Sequence, residues 1–184
     1  MKKLLITAAF LISVLNSQAQ NENTVKMIKA DINNNGVNDI IRPLNKDLEV
    51  IIDGVKYKIN YENDLGFEKI GELEFKNNVI SITSESNGTG LWTYTYKFRN
   101  NKVKNKIELI GYEDFNKWVS GCKNTSINLI NGKYEVTVQE WNEQKQKHDK
   151  KIYTGIKKFK KIYLTELHQP DLNSLTEIGL QYGN

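Results

Sequence analysis

The chain has 184 residues, with 26 basic and 22 acidic side chains and a net charge of +4. This length fits one domain with a hydrophobic core of its own. The single cysteine, Cys122, excludes an intrachain disulfide framework.

Residues 1–20 have the three parts of a secretory signal peptide. Two lysines precede an apolar stretch over residues 4–15, and Ser17 and Ala19 supply the small side chains before a cleavage site. We expect cleavage after Ala19 and a mature chain, 20–184, that forms a single β-rich domain in the periplasm or outside the cell. No cysteine stands at the end of the apolar stretch, so a lipid anchor is not expected. No later apolar run is long enough to predict a membrane span.

The charges of the mature chain are nearly balanced. Cleavage removes two of the 26 basic side chains and leaves 24 against 22 acidic ones. That balance and an exported location argue against nucleic acid as a partner. Eight lysines lie between residues 145 and 161. They predict either a surface for anionic glycans or lipid phosphates, or an edge strand that lysine protects from pairing with other sheets.

Turn signals between alternating segments predict antiparallel hairpins. Asp53-Gly54 and Asn131-Gly132 are favoured pairs for tight type I′ turns, and apolar and polar residues alternate on both sides of each pair. Two more hairpins are predicted to turn at Asn77-Asn78 and near Asn100-Asn101. A last strand pair is expected on either side of the polar segment 142–150.

The sequence shows much less helical periodicity than strand alternation. Pro170 begins a stretch that reads as a short C-terminal helix or a tail, and residues 112–121 read as a connector with room for one helical turn. We therefore expect a mainly β fold, in which antiparallel hairpins form a sandwich or an open barrel with little helix.

One loop has the spacing of a cation site. Counted from Asp31, oxygen-bearing side chains stand at the first, third, fifth and ninth positions, and Gly36 stands at the sixth. This is a layout that surrounds Ca²⁺ with oxygen ligands, with a glycine at the sharp turn. An EF-hand would need a bidentate Glu at the twelfth position, where this chain has Arg42.

The loop instead resembles the calcium loops of FG-GAP and VCBS-type repeats and of dockerin and thrombospondin type 3 modules. The ligands that this resemblance implies are the side chains of Asp31, Asn33, Asn35 and Asp39 and the main-chain carbonyl of Val37. Only one copy is present, which argues against a propeller of such repeats. Two carboxylates give a formal charge of −2, so weak binding, about 10⁻⁴–10⁻³ M, is expected. The alternative is an asparagine-rich hairpin loop that needs no metal.

An aromatic row is the other candidate for binding. Trp92, Tyr94, Tyr96 and Phe98 alternate and therefore share one face of a predicted strand. The first three are candidate partner-binding residues, and the alternative is the core face of a sheet.

The sequence contains no recognisable catalytic set. His148 and His168 lack metal-ligand spacing, no nucleophile motif is present, and the glycine-bearing segment 86–90 lacks the lysine of a phosphate loop. We therefore predict an exported, calcium-stabilised, non-enzymatic binding protein of the bacterial envelope or extracellular space. Its partner would be a protein or an envelope glycan. A small envelope hydrolase with unidentified carboxylates, or an inhibitor or immunity-type protein, is the alternative.

Overall fold

The structure, a computed structural model, describes residues 27–85 and 91–182. The predicted signal peptide and the segment 86–90 lie outside the described residues. Within them the chain forms eleven strands and one regular α-helix, α1 (Gln169–Leu180). The strands are β1 (Ile28–Ala30), β2 (Asp39–Leu44), β3 (Asp47–Ile52), β4 (Val55–Asn60), β5 (Lys69–Lys76), β6 (Val79–Glu85), β7 (Leu91–Asn101), β8 (Lys106–Trp118), β9 (Gly121–Asn128), β10 (Lys133–Asn142) and β11 (Lys147–Ile156).

The strands form two open sheets in which every neighbouring pair is antiparallel. β1 to β4 follow chain order in a four-stranded sheet, and β5 to β11 follow chain order in a seven-stranded sheet. The predicted mainly β, antiparallel fold with little helix is therefore confirmed, and neither sheet closes into a barrel. A π-helical turn, Tyr61–Leu65, leads from the first sheet to the second.

Two of the predicted turns form as expected. Asp53 and Gly54 have φ angles of 54° and 76° between β3 and β4, and Asn77 and Asn78 have φ angles of 53° and 59° between β5 and β6. Positive φ at both central residues is what a type I′ turn requires, and Asn, Asp and Gly tolerate it best. These turns fix the register of both hairpins.

The hairpin of β9 and β10 forms, but its predicted two-residue turn is wrong. The strands end at Asn128 and resume at Lys133, so the connection has four residues, and only Gly132 has a positive φ, 73°. The Asn128 side chain accepts hydrogen bonds from the main-chain N–H groups of Ile130 (3.0 Å) and Asn131 (3.3 Å). This local cap stabilises a wider loop in place of the tight turn.

Two other boundaries differ from the sequence-based expectations, and the first of the two alternatives for the C-terminal stretch is confirmed. Residues 112–118 belong to β8, where the expectation was a connector, because they pair with β7 on one side and β9 on the other. The turn of the β7–β8 hairpin lies at residues 102–105, beyond Asn100-Asn101. The stretch beginning at Pro170 is a true helix, α1, with that proline in its first turn, where a missing N–H costs nothing.

One hydrophobic core joins the two sheets and the helix. The small sheet contributes residues such as Ile41 and Val50, the large sheet Ile80 and Phe98, and α1 Leu175. Each of these five is fully buried. Among the described residues no helix is both long and apolar enough to cross a bilayer.

A charged cluster lies on the other face of the small sheet. The side chain of Glu49 on β3 is fully buried beneath Arg42 and Lys56. Arg42 contacts one carboxylate oxygen through both Nε and Nη2 at 2.6 Å, and the Lys56 ammonium lies against the other. The hydrogen bond from Lys56, assisted by Arg42, holds the pKa of Glu49 below its ordinary value of 4.5 although burial opposes this.

This lowered pKa predicts acid sensitivity. Because the folded state binds a proton on Glu49 less readily than the unfolded state, the carboxylate stabilises the fold above pH 4.5. That stabilisation is lost as the pH falls from 4.5 through the lower pKa of the folded state. Glu49→Gln should be less stable than wild type at neutral pH, and the difference should shrink in acid. Thermal melts across this pH range test the prediction, with the exposed Glu74→Gln on β5 as control. An equal difference between wild type and Glu49→Gln at every pH would contradict it.

Candidate functional site

The predicted metal loop is the connection of the β1–β2 hairpin. Ala30 and Asp39 pair across the base of the loop. Ile32 and Asp39 are almost fully buried, at 2% and 1% exposure, whereas the tip from Asn34 to Asn38 is exposed. The loop therefore has fixed ends and a solvent-facing tip.

Predicted ligand side chains fold back over the loop that carries them. Asp31 accepts hydrogen bonds from the N–H groups of Asn35 (2.9 Å) and Gly36 (2.8 Å), one to each carboxylate oxygen. The amide oxygen of Asn33 accepts from Asn35 N–H (3.2 Å), and that of Asn35 accepts from Val37 N–H (2.8 Å). The side-chain oxygens at the first, third and fifth positions thus lie on the inner side of one curled segment.

Backbone conformation explains the glycine in this segment. Gly36 has a φ of 88°, and a Cβ built on it would meet no atom within 4 Å. The requirement for glycine is therefore conformational and not steric, because φ in this region strains residues with a side chain.

A fifth polar side chain, which the sequence analysis missed, completes the cluster. Asp53, at the β3–β4 turn, accepts hydrogen bonds on one oxygen from the side-chain amides of Asn33 (2.7 Å) and Asn35. Asp39 joins the same two segments, because its oxygens accept from the N–H groups of Ile32 (3.0 Å) and Asp53 (3.2 Å). The Asp53-Gly54 pair predicted a turn, but nothing in its spacing from the loop predicted this contact.

The oxygen-bearing side chains around the loop are of kinds that bind a hard cation, and they include amides as well as carboxylates. The carboxylates of Asp31 and Asp39 and two amides belong to the loop, the Asp53 carboxylate lies on the neighbouring turn, and Ca²⁺ accepts both kinds of oxygen. Each oxygen that accepts one N–H keeps a further lone pair for a metal. Within residues 27–85 and 91–182, no three His, Cys, Asp or Glu side chains come close enough to hold an ion by themselves. The Asn33 and Asn35 amides are therefore essential to any such site.

The aromatic row is divided between core and surface. Tyr96 and Phe98 are 3% and 0% exposed, Tyr94 is half-buried, and Trp92 is 51% exposed. Tyr96 stacks on Phe67 with ring centroids 5.3 Å apart and donates a hydrogen bond to the Leu65 carbonyl at 3.2 Å. Burial raises the pKa of its hydroxyl. The surface end of the row is thus the part available to a partner.

Trp92 and Tyr94 form one wall of a cleft of about 320 Å³ beneath α1. Asp114 and Asn116 on β8 and Lys123 on β9 lie in register beside them, because Tyr94 pairs with Asp114 and Asn116 with Lys123. The residues of the cleft are Leu65, Gly66, Trp92, Tyr94, Tyr96, Asp114, Asn116, Lys123, Gln169, Leu172, Asn173, Thr176 and Leu180. No sequence signal joined the aromatic row to these residues from β8, β9 and α1.

Asp114 and Lys123 bring opposite charges into the cleft. Burial raises the pKa of the Asp114 carboxyl, and the positive charge of Lys123 partly offsets this effect. The Lys123 ammonium, on a side chain that is only 9% exposed, donates to the Gly179 carbonyl of α1 at 2.9 Å. This hydrogen bond fastens the C-terminal end of the helix to the sheet.

The lysine-rich region borders a larger groove of about 550 Å³. Several of its cations are neutralised: Lys161 pairs with Glu108 (2.9 Å) and Lys160 with Asp171 (3.0 Å). β11, which carries other lysines of the cluster, is an edge strand of the large sheet. The edge-strand interpretation of the lysines therefore fits the topology.

No protein family, curated protein or solved structure matches the chain.

Gly179 allows the close approach of α1 to the sheet, and this predicts an unusual helix substitution. Replacing a helical glycine with alanine commonly stabilises a protein by about 1 kcal/mol. Here the new Cβ would lie 2.6 Å from the Thr125 hydroxyl oxygen. We expect Gly179→Ala to destabilise the protein by about 1–3 kcal/mol through overpacking. Thr125→Ala combined with it should recover part of the loss in denaturant titrations. A Gly179→Ala protein more stable than wild type would contradict the close contact.

Proposed function

We propose that the protein is an exported, non-enzymatic binding protein of the bacterial envelope or extracellular space, stabilised by Ca²⁺ at the loop 31–39. The observation that carries the metal proposal is the convergence of Asp53 with the loop side chains. Ca²⁺ would be held by oxygens of Asp31, Asn33, Asn35 and Asp39 and by the Val37 carbonyl, with the Asp53 carboxylate beside the loop. The negative charge of Asp53 beside the two loop carboxylates favours tighter cation binding than the loop alone would provide.

The cation would supply structural stability. Asp53 and the asparagines belong to different hairpins, so an ion bound between them would stabilise their association. Hydrogen bonds from the side-chain amides of Asn33 and Asn35 stabilise the negative charge of Asp53.

Binding is favoured over hydrolysis by the composition of the aromatic cleft. Among the described residues that line it, Asp114 supplies the single carboxylate, beside the half-exposed Trp92. Hydrolysis of glycosides commonly uses a pair of carboxylic side chains on either side of the scissile bond. An exposed tryptophan next to hydrogen-bonding groups is typical of a binding surface. The partner would be a protein or an envelope glycan that contacts Trp92 and Tyr94, with Tyr96 supporting them from the core.

Addition of Ca²⁺ should raise the melting temperature of the mature protein. At ten times the dissociation constant, the folded state gains RT ln 11, about 1.4 kcal/mol. Mg²⁺ should have a smaller effect, because its small octahedral shell fits a mixed loop of many oxygens poorly. Thermal melts with Ca²⁺, Mg²⁺ or EGTA test this. Identical melting temperatures in millimolar Ca²⁺ and in EGTA would contradict the metal proposal and indicate an ordinary asparagine-rich turn.

Asp53→Asn separates the charge of the site from the shape of the turn. Asn-Gly is itself a favoured type I′ pair, so the β3–β4 hairpin should be retained. Calcium affinity should fall by about tenfold or more, since one nearby unit charge contributes over ~1 kcal/mol at a protein surface. Asp47→Asn, at the opposite end of the hairpin, is the charge-matched control. Asp31→Ala is less informative because it also removes the hydrogen bonds to Asn35 and Gly36.

Export is tested by the mass of the mature protein. Mass spectrometry of protein made in an exporting host should find Gln20 at the N-terminus, because the small residues before it form the cleavage site. Retention of Met1 would contradict export through this signal.

A further inference from the structure

The cleft beneath α1 has one wall made by the sheet. On β7 the exposed Trp92 and half-buried Tyr94 offer aromatic surface, and on β8 Asp114 and Asn116 lie directly opposite them in register. Aromatic surface next to an acceptor and an amide fits a ligand with both apolar and hydroxyl-bearing parts.

The facing wall is a polar stripe of α1. Gln169, Asn173 and Thr176 line the cleft, and Leu180 extends the same stripe. Their spacing of three or four residues places them on one face of the helix, beside the buried stripe that contains Leu175. The two amides can each donate and accept hydrogen bonds, whereas the Thr176 hydroxyl donates to the Asn173 carbonyl at 2.9 Å and keeps its capacity to accept. The helix therefore presents both kinds of group to the cleft in addition to covering the core.

Polar groups under the helix lack partners. The Thr125 hydroxyl, beside Gly179 of α1, is buried and has no hydrogen-bond partner in the described part of the chain. No described residue donates a hydrogen bond to Asp114, whose charge is offset only by Lys123. Asp114 and Thr125 both border the space beside Gly179, at 3.6 and 2.6 Å from the position of an added Cβ. Buried polar groups usually have partners, so Asp114, which lines the cleft, has unused capacity to accept a hydrogen bond from a hydroxyl-bearing ligand.

The charges select against ionic ligands. The Asp114 carboxylate would repel an anion, and the Lys123 ammonium would repel a cation. Neither kind of ion therefore gains a clear electrostatic advantage in the cleft. A purely apolar ligand would remove water from Asp114 without replacing its hydrogen bonds, which is costly. A neutral molecule with many hydroxyls satisfies the polar groups and can place an apolar ring face on Trp92.

We propose that the cleft between α1 and β7–β9 binds a neutral sugar ring of a glycan, which stacks on Trp92 and donates a hydroxyl hydrogen bond to Asp114. The volume of about 320 Å³ lies at the small end of ligand pockets and fits one ring or the end of a chain. Asn116 and the α1 amides contact the remaining hydroxyls. This inference rests on the proposed binding function and names the partner class and the site.

The test is titration of the mature protein with defined neutral sugars. The probes are tetrasaccharides of glucose, mannose, galactose and N-acetylglucosamine, each used up to about 10 mM to include weak sites. Calorimetry, together with tryptophan fluorescence, should detect binding of at least one probe. Trp92→Ala and the isosteric Asp114→Asn should each weaken it by about tenfold or more, as expected for loss of a hydrogen bond to a charged group or of a stacked ring.

Trp141→Ala is the matched control. Trp141 is 42% exposed and packs edge-on against His148, at the β10–β11 hairpin and outside the cleft. Binding should be unchanged in this variant, and melting curves should establish that all three variants are folded. No binding of any neutral probe would overturn the inference. So would binding that depends on Trp141 and not on Trp92.

A second measurement separates this inference from the proposed function. A pull-down from envelope extract, with and without Ca²⁺, is performed with wild type and with Trp92→Ala. Capture of a protein partner that requires Trp92, without binding of any neutral sugar, keeps the binding function and overturns the sugar assignment. If the protein binds no neutral sugar and captures no partner, both the sugar assignment and the proposed binding function are overturned.

Discussion

Burial of one broad face of the seven-stranded sheet is the constraint on which the rest of the structure depends. The strands alternate, so each sends apolar side chains such as Ile80, Phe98 and Val136 to the same face. That face is covered by two separate elements, the four-stranded sheet and α1, which contribute to one core. Both candidate sites involve these covering elements: the metal loop belongs to the small sheet, and the cleft lies along α1.

The small sheet is fastened by polar contacts as well as apolar ones. Ile32 inserts into the core from the metal loop, and Asp39 and Asp53 join the loop to the neighbouring hairpin. Asn100, at the end of β7, donates to the main-chain carbonyl of Asn33 at 3.0 Å and so links the loop to the large sheet. A cation bound at the loop would therefore act on the contact between the sheets as well as on one turn.

The aromatic row connects stability and recognition along a single strand. Tyr96 and Tyr112 stack with centroids 5.5 Å apart inside the core, and the same face ends at the exposed Trp92. Because Tyr96 is held by stacking and by its bond to Leu65, the outer residues of the row stand on a rigid base. A rigid platform loses little entropy when a ligand binds, which favours affinity.

Local chemistry was sufficient to predict several elements. The Asp53-Gly54 and Asn77-Asn78 pairs set their turns because positive φ is a property of those residues themselves. The predicted row from Trp92 to Phe98 follows from the two-residue period of a strand. The predicted tight turn at Asn131-Gly132 does not form. The side chain of the preceding Asn128 instead caps a wider loop, and this hydrogen bonding competes with the tight turn.

Long-range packing decided what the amino-acid sequence left open. The polar run around Asp114 looked like a connector, yet it is a strand because partners on both sides complete its hydrogen bonds. Asp53 meets the metal loop, and Lys123 meets the end of α1, across separations that no periodicity spans. The sequence by itself determined alternation, turn chemistry and the oxygen-rich loop, since these depend on neighbouring residues. The tertiary structure decided which distant side chains share a site, since that depends on how the sheets and the helix cover one another.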